Sequence, residues 1–478
     1  MDVVMVASES TPFFKTGGLA DVIGSLPNEI ANAVDINVSV ILPKHSAMPL
    51  AWQEQLEFIG SFQVNVQWRQ QYCGIFKLAL SGVTYIFIDN EYYFKRDSLY
   101  GQFDDAERYV FFTHAVLSTL HNLQLKPAVL HCHDWQTGLL PVYIKASYDL
   151  NSIKTIFTIH NLRYQGNFPL SIFHELIHLD EAYFNSLIMD EQINFLKAAL
   201  VHADWVTTVS PTYANEVKST YFGEGLNEIL LTRESAMTGI LNGINNNEFN
   251  PATDPALPFN YLNQPDQKRL NKQTLQHQLN LTTDVSIPMF TIITRLVPEK
   301  GIPLILHILD ELLESENIQL LVLGTGEHEL EEAFCFFKQK YPNKFHIERT
   351  FNEDLARLYY AASDFFLMPS QFEPCGLSQL IALRYESVPI VRETGGLNDT
   401  INSYNEFTGE GNGFSFTNYN AHDLLYTIRR AIYFYWNKEH WQKILQNVYQ
   451  SDFSWKESAK EYVNLYRTLA SKQGALVT

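Results

Sequence analysis

Lys15-Thr16-Gly17-Gly18-Leu19-Ala20-Asp21-Val22 joins an apolar run at residues 3–8 to a segment with Leu19, Val22, Ile23, Leu26 and Ile30 at helical spacing. Two glycines at a strand-to-helix turn let the backbone come close to a ligand. The unpaired amides and positive dipole end of the helix behind them suit a phosphate. Lys15 adds a full positive charge at the lip. The order Lys-Thr-Gly-Gly is not that of a Walker loop, and on eight residues an ordinary α/β turn reads the same way. A second turn, Thr394-Gly395-Gly396-Leu397-Asn398-Asp399, follows another apolar run at 388–391. Two such turns, one in each half of the chain, suggest two domains facing one ligand.

Other reactive residue types sit where further apolar runs end. Arg295 and Lys300, in Thr294-Arg295-Leu296-Val297-Pro298-Glu299-Lys300-Gly301, can converge on a diphosphate, the first as a bidentate fork and the second as a point charge. Glu373, in Glu373-Pro374-Cys375-Gly376-Leu377, is placed to grip sugar hydroxyls; Cys375 has no identifiable base and reads as packing. In His131-Cys132-His133-Asp134-Trp135 the two histidines share a strand face, which invites a metal, but no third ligand stands at a recognisable spacing. Polar substrate contacts from Asp134 and its neighbours are the better reading. His160-Asn161, followed by Tyr164-Gln165-Gly166, has the character of a sugar-binding loop at a sheet's ligand edge. Leu323-Gly324-Thr325-Gly326-Glu327 is half a dinucleotide fingerprint, with Glu329 where the third glycine belongs.

The elements that carry these residues alternate. Apolar runs at 3–8, 38–43, 83–88, 128–131, 155–159 and 205–209 are interleaved with helical patterns such as 106–120 and 192–203. A second set at 289–294, 318–323, 345–348, 365–368, 388–391 and 413–416 follows a Pro- and Asn-rich stretch at 239–266. Continuous apolar runs rather than clean alternation are expected of strands buried on both faces of a parallel sheet, so the class is doubly wound α/β. The expected domains are 1–240 and 241–454. A closing helix in 455–478, with Ala459, Tyr462, Val463, Tyr466, Leu469 and Ala470 on one face, must dock on one of them. Two domains also suit a chain of 478 residues. The formal charge of −19, from 34 basic and 53 acidic residues, argues against nucleic acid or an anionic membrane as the main partner and is no obstacle to a neutral polymer. Four scattered cysteines without a Cys-x-x-Cys pair, and no long apolar run, fit a cytoplasmic protein. Nothing in the chain specifies an oligomeric state.

Taken in order, these motifs, with Val209-Ser210-Pro211-Thr212-Tyr213 and Leu241-Asn242-Gly243 between them, resemble the bacterial glycogen synthase family, ADP-glucose-dependent relatives of plant starch synthase. The resemblance runs over essentially the whole chain. It implies a GT-B fold: two Rossmann-like doubly wound domains facing a deep cleft, with the C-terminal segment returning to the first. By motif match it implies donor contacts from Lys15, Gly17, Gly18 and Asn242, with Arg295 and Lys300 on the diphosphate and Thr394, Gly395 and Gly396 on the distal phosphate. Glu373 is implied on the transferred glucose and Phe351 near the adenine. Asp21, Asp134, Trp135, His160 and Asn161 are implied on the acceptor side, with His160, Arg295, Lys300 and Glu373 as the catalytic set.

The implied reaction moves glucose from ADP-glucose to the non-reducing end of an α-1,4-glucan, keeping the α configuration. It needs no cofactor or metal, because Arg295, Lys300 and the glycine-turn amides meet the charge growing on the leaving diphosphate. No nucleophile–acid carboxylate pair is evident, which favours a front-face route. Many retaining relatives carry a Glu-x7-Glu motif; here position 381 is Ile, as is common among glycogen synthases. Glu299 and Glu393 place carboxylates beside the phosphate loops, and Arg163 a cation beside the His160 loop. The competing readings are the same transfer from UDP-glucose, a catalytically silent glucan-binding protein, and a nicotinamide oxidoreductase.

Overall fold

The apolar runs form parallel strands buried on both faces, as their lack of alternation requires. The computed structural model describes residues 1–33 and 35–474. Two units emerge, one made of Met1–Asn242 with the chain from Trp455 onward, the other of Gly243–Ser454.

The first unit carries β1 (Asp2–Val6), β2 (Asn37–Pro43), β3 (Glu57–Val66), β4 (Arg69–Leu80), β5 (Val83–Asp89), β6 (Val129–His133) and β7 (Lys154–Ile159). After a small sheet of β8 (Asn167–Pro169), β9 (Ile188–Met189) and β10 (Gln192–Asn194) come β11 (Trp205–Thr208) and β12 (Met237–Gly239). The main sheet has the order β12-β11-β7-β6-β1-β2-β5-β4-β3. Its ladders are parallel except β5–β4 and β4–β3. From β1 the chain winds outward through β2 and β5, then returns to β6 on the other side. β1 and β6 therefore straddle the switch point, where carboxyl ends of strands open a crevice for ligand.

Two local features depart from the sequence reading. The hairpin β3–β4 fills an interval where no strands were expected; buried Val64 and Val66 alternate there with exposed Gln63 and Asn65, the signature of a strand solvated on one face. The helical pattern expected at 192–203 begins as β10 and turns helical only at Phe195–His202, because the Asn194 side chain accepts the Lys197 amide at 2.7 Å and caps the helix there.

The closing helix, Trp455–Gly474, places Trp455, Ala459, Tyr462, Val463, Tyr466 and Leu469 in one core with Val3, Met5, Leu19, Ile23 and Leu26. It packs beside the Gly18–Ala31 helix, and Tyr466 reaches the β6 histidine His131 across 2.7 Å. Residues 475–478 of the expected C-terminal segment lie outside the described residues.

The second unit has six parallel strands: β13 (Met289–Ile293), β14 (Gln319–Leu323), β15 (Phe345–Glu348), β16 (Phe365–Met368), β17 (Val388–Arg392) and β18 (Phe414–Phe416). Their order, β15-β14-β13-β16-β17-β18, puts its switch point between β13 and β16. The residues entering and leaving this unit lie side by side, Ile244 donating its amide to the Phe453 carbonyl at 2.9 Å. No helix among the described residues is long and apolar enough to cross a membrane.

Candidate functional site

Both switch points carry the residues that the sequence singles out. In the first unit, the Lys15–Gly18 turn follows β1, Asp134 follows β6 and His160 follows β7. Lys15 and Asp21 form an ion pair of 2.8 Å at the mouth of the Gly18–Ala31 helix. Gly17 is extended, with φ −156°, and a Cβ built on it meets only a Glu9 carboxylate oxygen at 3.9 Å. No neighbour in the fold therefore demands glycine at this position, and the space beside its backbone stays open for a ligand to approach.

Glu9 has no sequence signature, and the reading by motif missed it. It is 3% exposed. Its Oε2 accepts the Thr16 amide at 2.5 Å and the Thr16 hydroxyl at 2.7 Å, so a buried carboxylate pins the loop that carries Lys15. Burial raises its pKa, and the Thr16 donors oppose the rise. Only the fold could reveal it, since the signal is a buried acid one loop away from the motif.

Asp134 takes a left-handed φ of 57° at the end of β6. Its Oδ1 accepts the His160 amide at 2.8 Å, which ties the loop after β6 to the loop after β7. Burial raises its pKa to about 7, helped by the charge of Glu9 and opposed by the His160 and Asn161 amides. The His160 ring meets His133 at 3.0 Å, and burial holds His160 neutral with a pKa of about 3. Asn161 turns its side-chain oxygen back to the Arg163 amide at 3.1 Å.

His131 spends both ring nitrogens, on Tyr466 at 2.7 Å and Thr158 at 2.6 Å, and so links β6 to the closing helix, while His133 turns to His160. Trp135 is buried and packed edge-on against Tyr109, while a Cβ at Gly166 would lie 2.5 Å from its indole. It shapes the 164–166 loop and offers little face to a sugar. Asn242, also buried, holds its side-chain oxygen without a partner among the described residues.

In the second unit, Arg295 follows β13 and is exposed, and no ion pair joins it to a carboxylate among the described residues. Lys300 ends a short turn at Gly301, whose φ is 76° and whose Cβ would fall 2.0 Å from the Pro369 carbonyl. That close approach seats the loop after β13 against the loop after β16. As a result Lys300 Nζ meets Glu373 Oε2 at 2.6 Å, with the Ser370 hydroxyl on the same oxygen at 3.1 Å. Glu373 is 7% exposed.

The second glycine turn works differently from the first. Gly395 has φ +45° and its Cβ would sit 1.9 Å from the Glu373 carbonyl; a Cβ at Gly396 would sit 2.1 Å from that of Cys375. These glycines exist so that the Thr394 turn can lie against the Glu373 loop. Glu393 directs its two carboxylate oxygens to the hydroxyls of Ser415 and Thr417, each at 2.7 Å. Phe351 is 83% exposed, just ahead of Asn352, which caps the Glu353–Ala362 helix. Gly324 and Gly326 are likewise packing glycines, pressed on the Thr294 and Leu296 carbonyls, and the Gly326 amide is taken by Glu331 at 2.8 Å. An acid in that position repels a dinucleotide phosphate, which removes the basis of the oxidoreductase reading.

Comparison with known proteins gives the same picture for each half. Residues 2–232 match the starch synthase catalytic domain, and 265–444 match the glycosyl transferases group 1. The chain is 54% identical to glycogen synthase of Halalkalibacterium halodurans over 473 residues, covering 99% of each chain. It is 49% identical to glycogen synthase of Clostridium novyi, covering 99% of this chain and 100% of that one. The chain belongs to the glycogen synthase family. Its fold superposes on the catalytic domain of starch synthase IV from Arabidopsis thaliana, solved with ADP and acarbose, with a TM-score of 0.89, 33% identity and coverage of 98% and 99%. The enzyme is thus a glucosyltransferase, and its two Rossmann-like units are those of the GT-B class.

Proposed function

We propose that this glycogen synthase transfers glucose from ADP-glucose to the 4-hydroxyl at the non-reducing end of an α-1,4-glucan, with retention, releasing ADP. The observation that carries the reading is the loop cluster of the second unit. Gly301 and Gly395 press three loops together, so that a buried carboxylate, an ammonium and a glycine turn converge at a switch point beside the exposed Arg295. The ADP found with the starch synthase relative supports the choice of nucleotide.

In this reading Arg295 and Lys300 hold the diphosphate and meet the charge that grows as the glycosidic bond breaks, with the Thr394–Gly396 turn on the distal phosphate. Glu373 grips the transferred glucose, Lys15 and the open backbone at Gly17 contact the donor, and Phe351 offers its ring to the adenine. Asp134, His160 and Asn161 receive the acceptor, with His160 neutral and able to share a hydrogen bond with a sugar hydroxyl. Because cationic side chains carry the charge, the reaction runs without added metal. The leaving phosphate oxygen takes the acceptor proton as the new bond forms on the same face. A trapped covalent glucosyl-enzyme at Glu373 would refute that route.

The test is nucleotide release with a glucan primer, comparing ADP-glucose and UDP-glucose without metal. Primer-dependent ADP release, lost in Arg295→Ala, supports the reading. Release from UDP-glucose alone overturns the donor assignment.

A further inference from the structure

The helix Ala421–Trp436 of the second unit buries Leu424, Leu425, Ile428, Ala431 and Ile432, as an amphipathic helix should. Its outer face is unusual. His422, Tyr426, Arg429, Tyr433 and Trp436 recur at i, i+4, i+7, i+11 and i+14, which places them in a single row. Tyr426 is 71% exposed, Tyr433 66% and Trp436 52%. A solvent face of a chain with net charge −19 would ordinarily carry Glu and Lys, yet this row contains neither. Its one permanent cation, Arg429, is neutralised by Glu311 at 2.9 Å and Glu316 at 3.1 Å.

We propose that this row is a second glucan-binding site, made of residues that none of the donor loops contributes, which holds an uncharged α-glucan chain by stacking. The proposal rests on the glucan acceptor assigned above. Three observations choose the occupant. Each aromatic residue is of the kind that pairs a flat apolar face with a polar tip, matching the alternation of C–H faces and hydroxyls on a sugar chain. The charge of Arg429 is more than met by Glu311 and Glu316, so the row has nothing to attract an anion, and the net charge of the protein repels one. Arg429 interrupts the rings between Tyr426 and Tyr433 while the aliphatic side chains point into the core, so the face lacks the continuous apolar area of about 800 Å² per partner that a stable dimer buries. The row spans 14 residues, about 21 Å along the helix axis, on a rigid element.

A site of this kind raises the local concentration of chain ends when the acceptor is a many-ended polymer, and does nothing for an acceptor too short to reach both places. The experiment compares the unaltered enzyme with Tyr426→Ala/Tyr433→Ala/Trp436→Ala, after thermal melting confirms that both are folded. The measurements are retardation in native gels cast with glycogen, KM for glycogen and for a short maltooligosaccharide, and sedimentation velocity. The expected result is lost retardation and a KM for glycogen raised about tenfold, with the maltooligosaccharide KM and the sedimentation coefficient unchanged. Retardation equal to that of the unaltered enzyme overturns the proposal, as does absence of retardation in both. A change in oligomeric state on substitution overturns it in favour of a second copy as the occupant. Retardation is read without transfer, so a protein that is retarded through this row but releases no ADP would sink the proposed reaction and leave this site standing.

Discussion

Lys300 and Glu373 give the sharpest test of the second unit. Their 2.6 Å ion pair has side chains only 19% and 10% exposed. Removing one member of such a pair strands the other charge in a site that water reaches poorly, at a cost of about 3–5 kcal/mol for full burial. The residual exposure of Lys300 favours the lower end, about 3 kcal/mol. For a unit of this size that is a fall in Tm of roughly 6–12 °C. Lys300→Met should show this loss. The double variant Lys300→Met/Glu373→Gln should recover most of it, because a neutral pair of similar volume leaves no stranded charge. Activity should not recover with stability, since each residue is assigned its own contact with donor. The assay is a double-mutant cycle in Tm, run beside nucleotide release. If Lys300→Met costs less than about 1 kcal/mol, the pair is screened like a surface pair. If the two single effects simply add, the residues do not act on one another. Either result refutes the argument.

Four further outcomes are expected. Glu9→Gln removes the charge that pins Thr16, and at about 1.5–3 kcal/mol for a charge-assisted hydrogen bond it should raise the KM for donor roughly ten- to hundredfold; unchanged steady-state kinetics would refute the pinning. Gly395→Ala should lower both Tm and kcat, because its Cβ collides with the Glu373 carbonyl, whereas Gly17→Ala should leave Tm unchanged and weaken donor binding; calorimetry on the pair separates the two kinds of glycine. Asp134, lifted from an ordinary value of 3.8 to about 7, holds its proton more tightly folded than unfolded, so its contribution to stability is present below about pH 4 and is lost as pH rises towards 7. Melting against pH should show that slope in the unaltered enzyme and a flatter one in Asp134→Asn, and the acid limb of transfer should vanish with the same substitution. Tyr466→Phe strands a nitrogen of buried His131, and denaturant titration should register a loss of about 1–3 kcal/mol.

The parts of this fold that could be read from sequence are those encoded locally. Runs such as Val129-Leu130 and Phe365-Phe366 are apolar because both faces of their strands are covered, and the loops that follow carry the charged and polar residues with no role in the core. β3 and β4 escaped because the alternation at residues 63–66 is short and the Gln67-Trp68 turn between the strands lacks the Gly, Asn or Asp that marks a hairpin. The site was legible as a set of loops and not as a set of contacts. Lys300 and Glu373 lie 73 positions apart, and nothing in either motif announces that they touch. Glu9 looks like any acid after a strand until burial and the Thr16 donors give it a task. Trp135 looks from sequence like one more residue of a polar loop, and only its neighbours show that it packs against Tyr109 and the Gly166 backbone. The glycines of the two turns look alike in sequence, and only the space around each shows that one leaves room for a ligand and the other for a neighbouring loop.

The closing helix has a consequence for how the protein is made. The first unit is begun by residue Met1 but its core lacks Trp455, Tyr462 and Tyr466 until nearly the whole chain has been synthesised, whereas Gly243–Ser454 is complete before the ribosome reaches them. The second unit can therefore fold first although it is translated later, and the half begun earliest waits with an open seam of Leu19, Ile23 and Leu26. Released chains truncated after Ser454 should hold a protease-resistant second unit and a susceptible first one. The half that is started first is the half that is completed last.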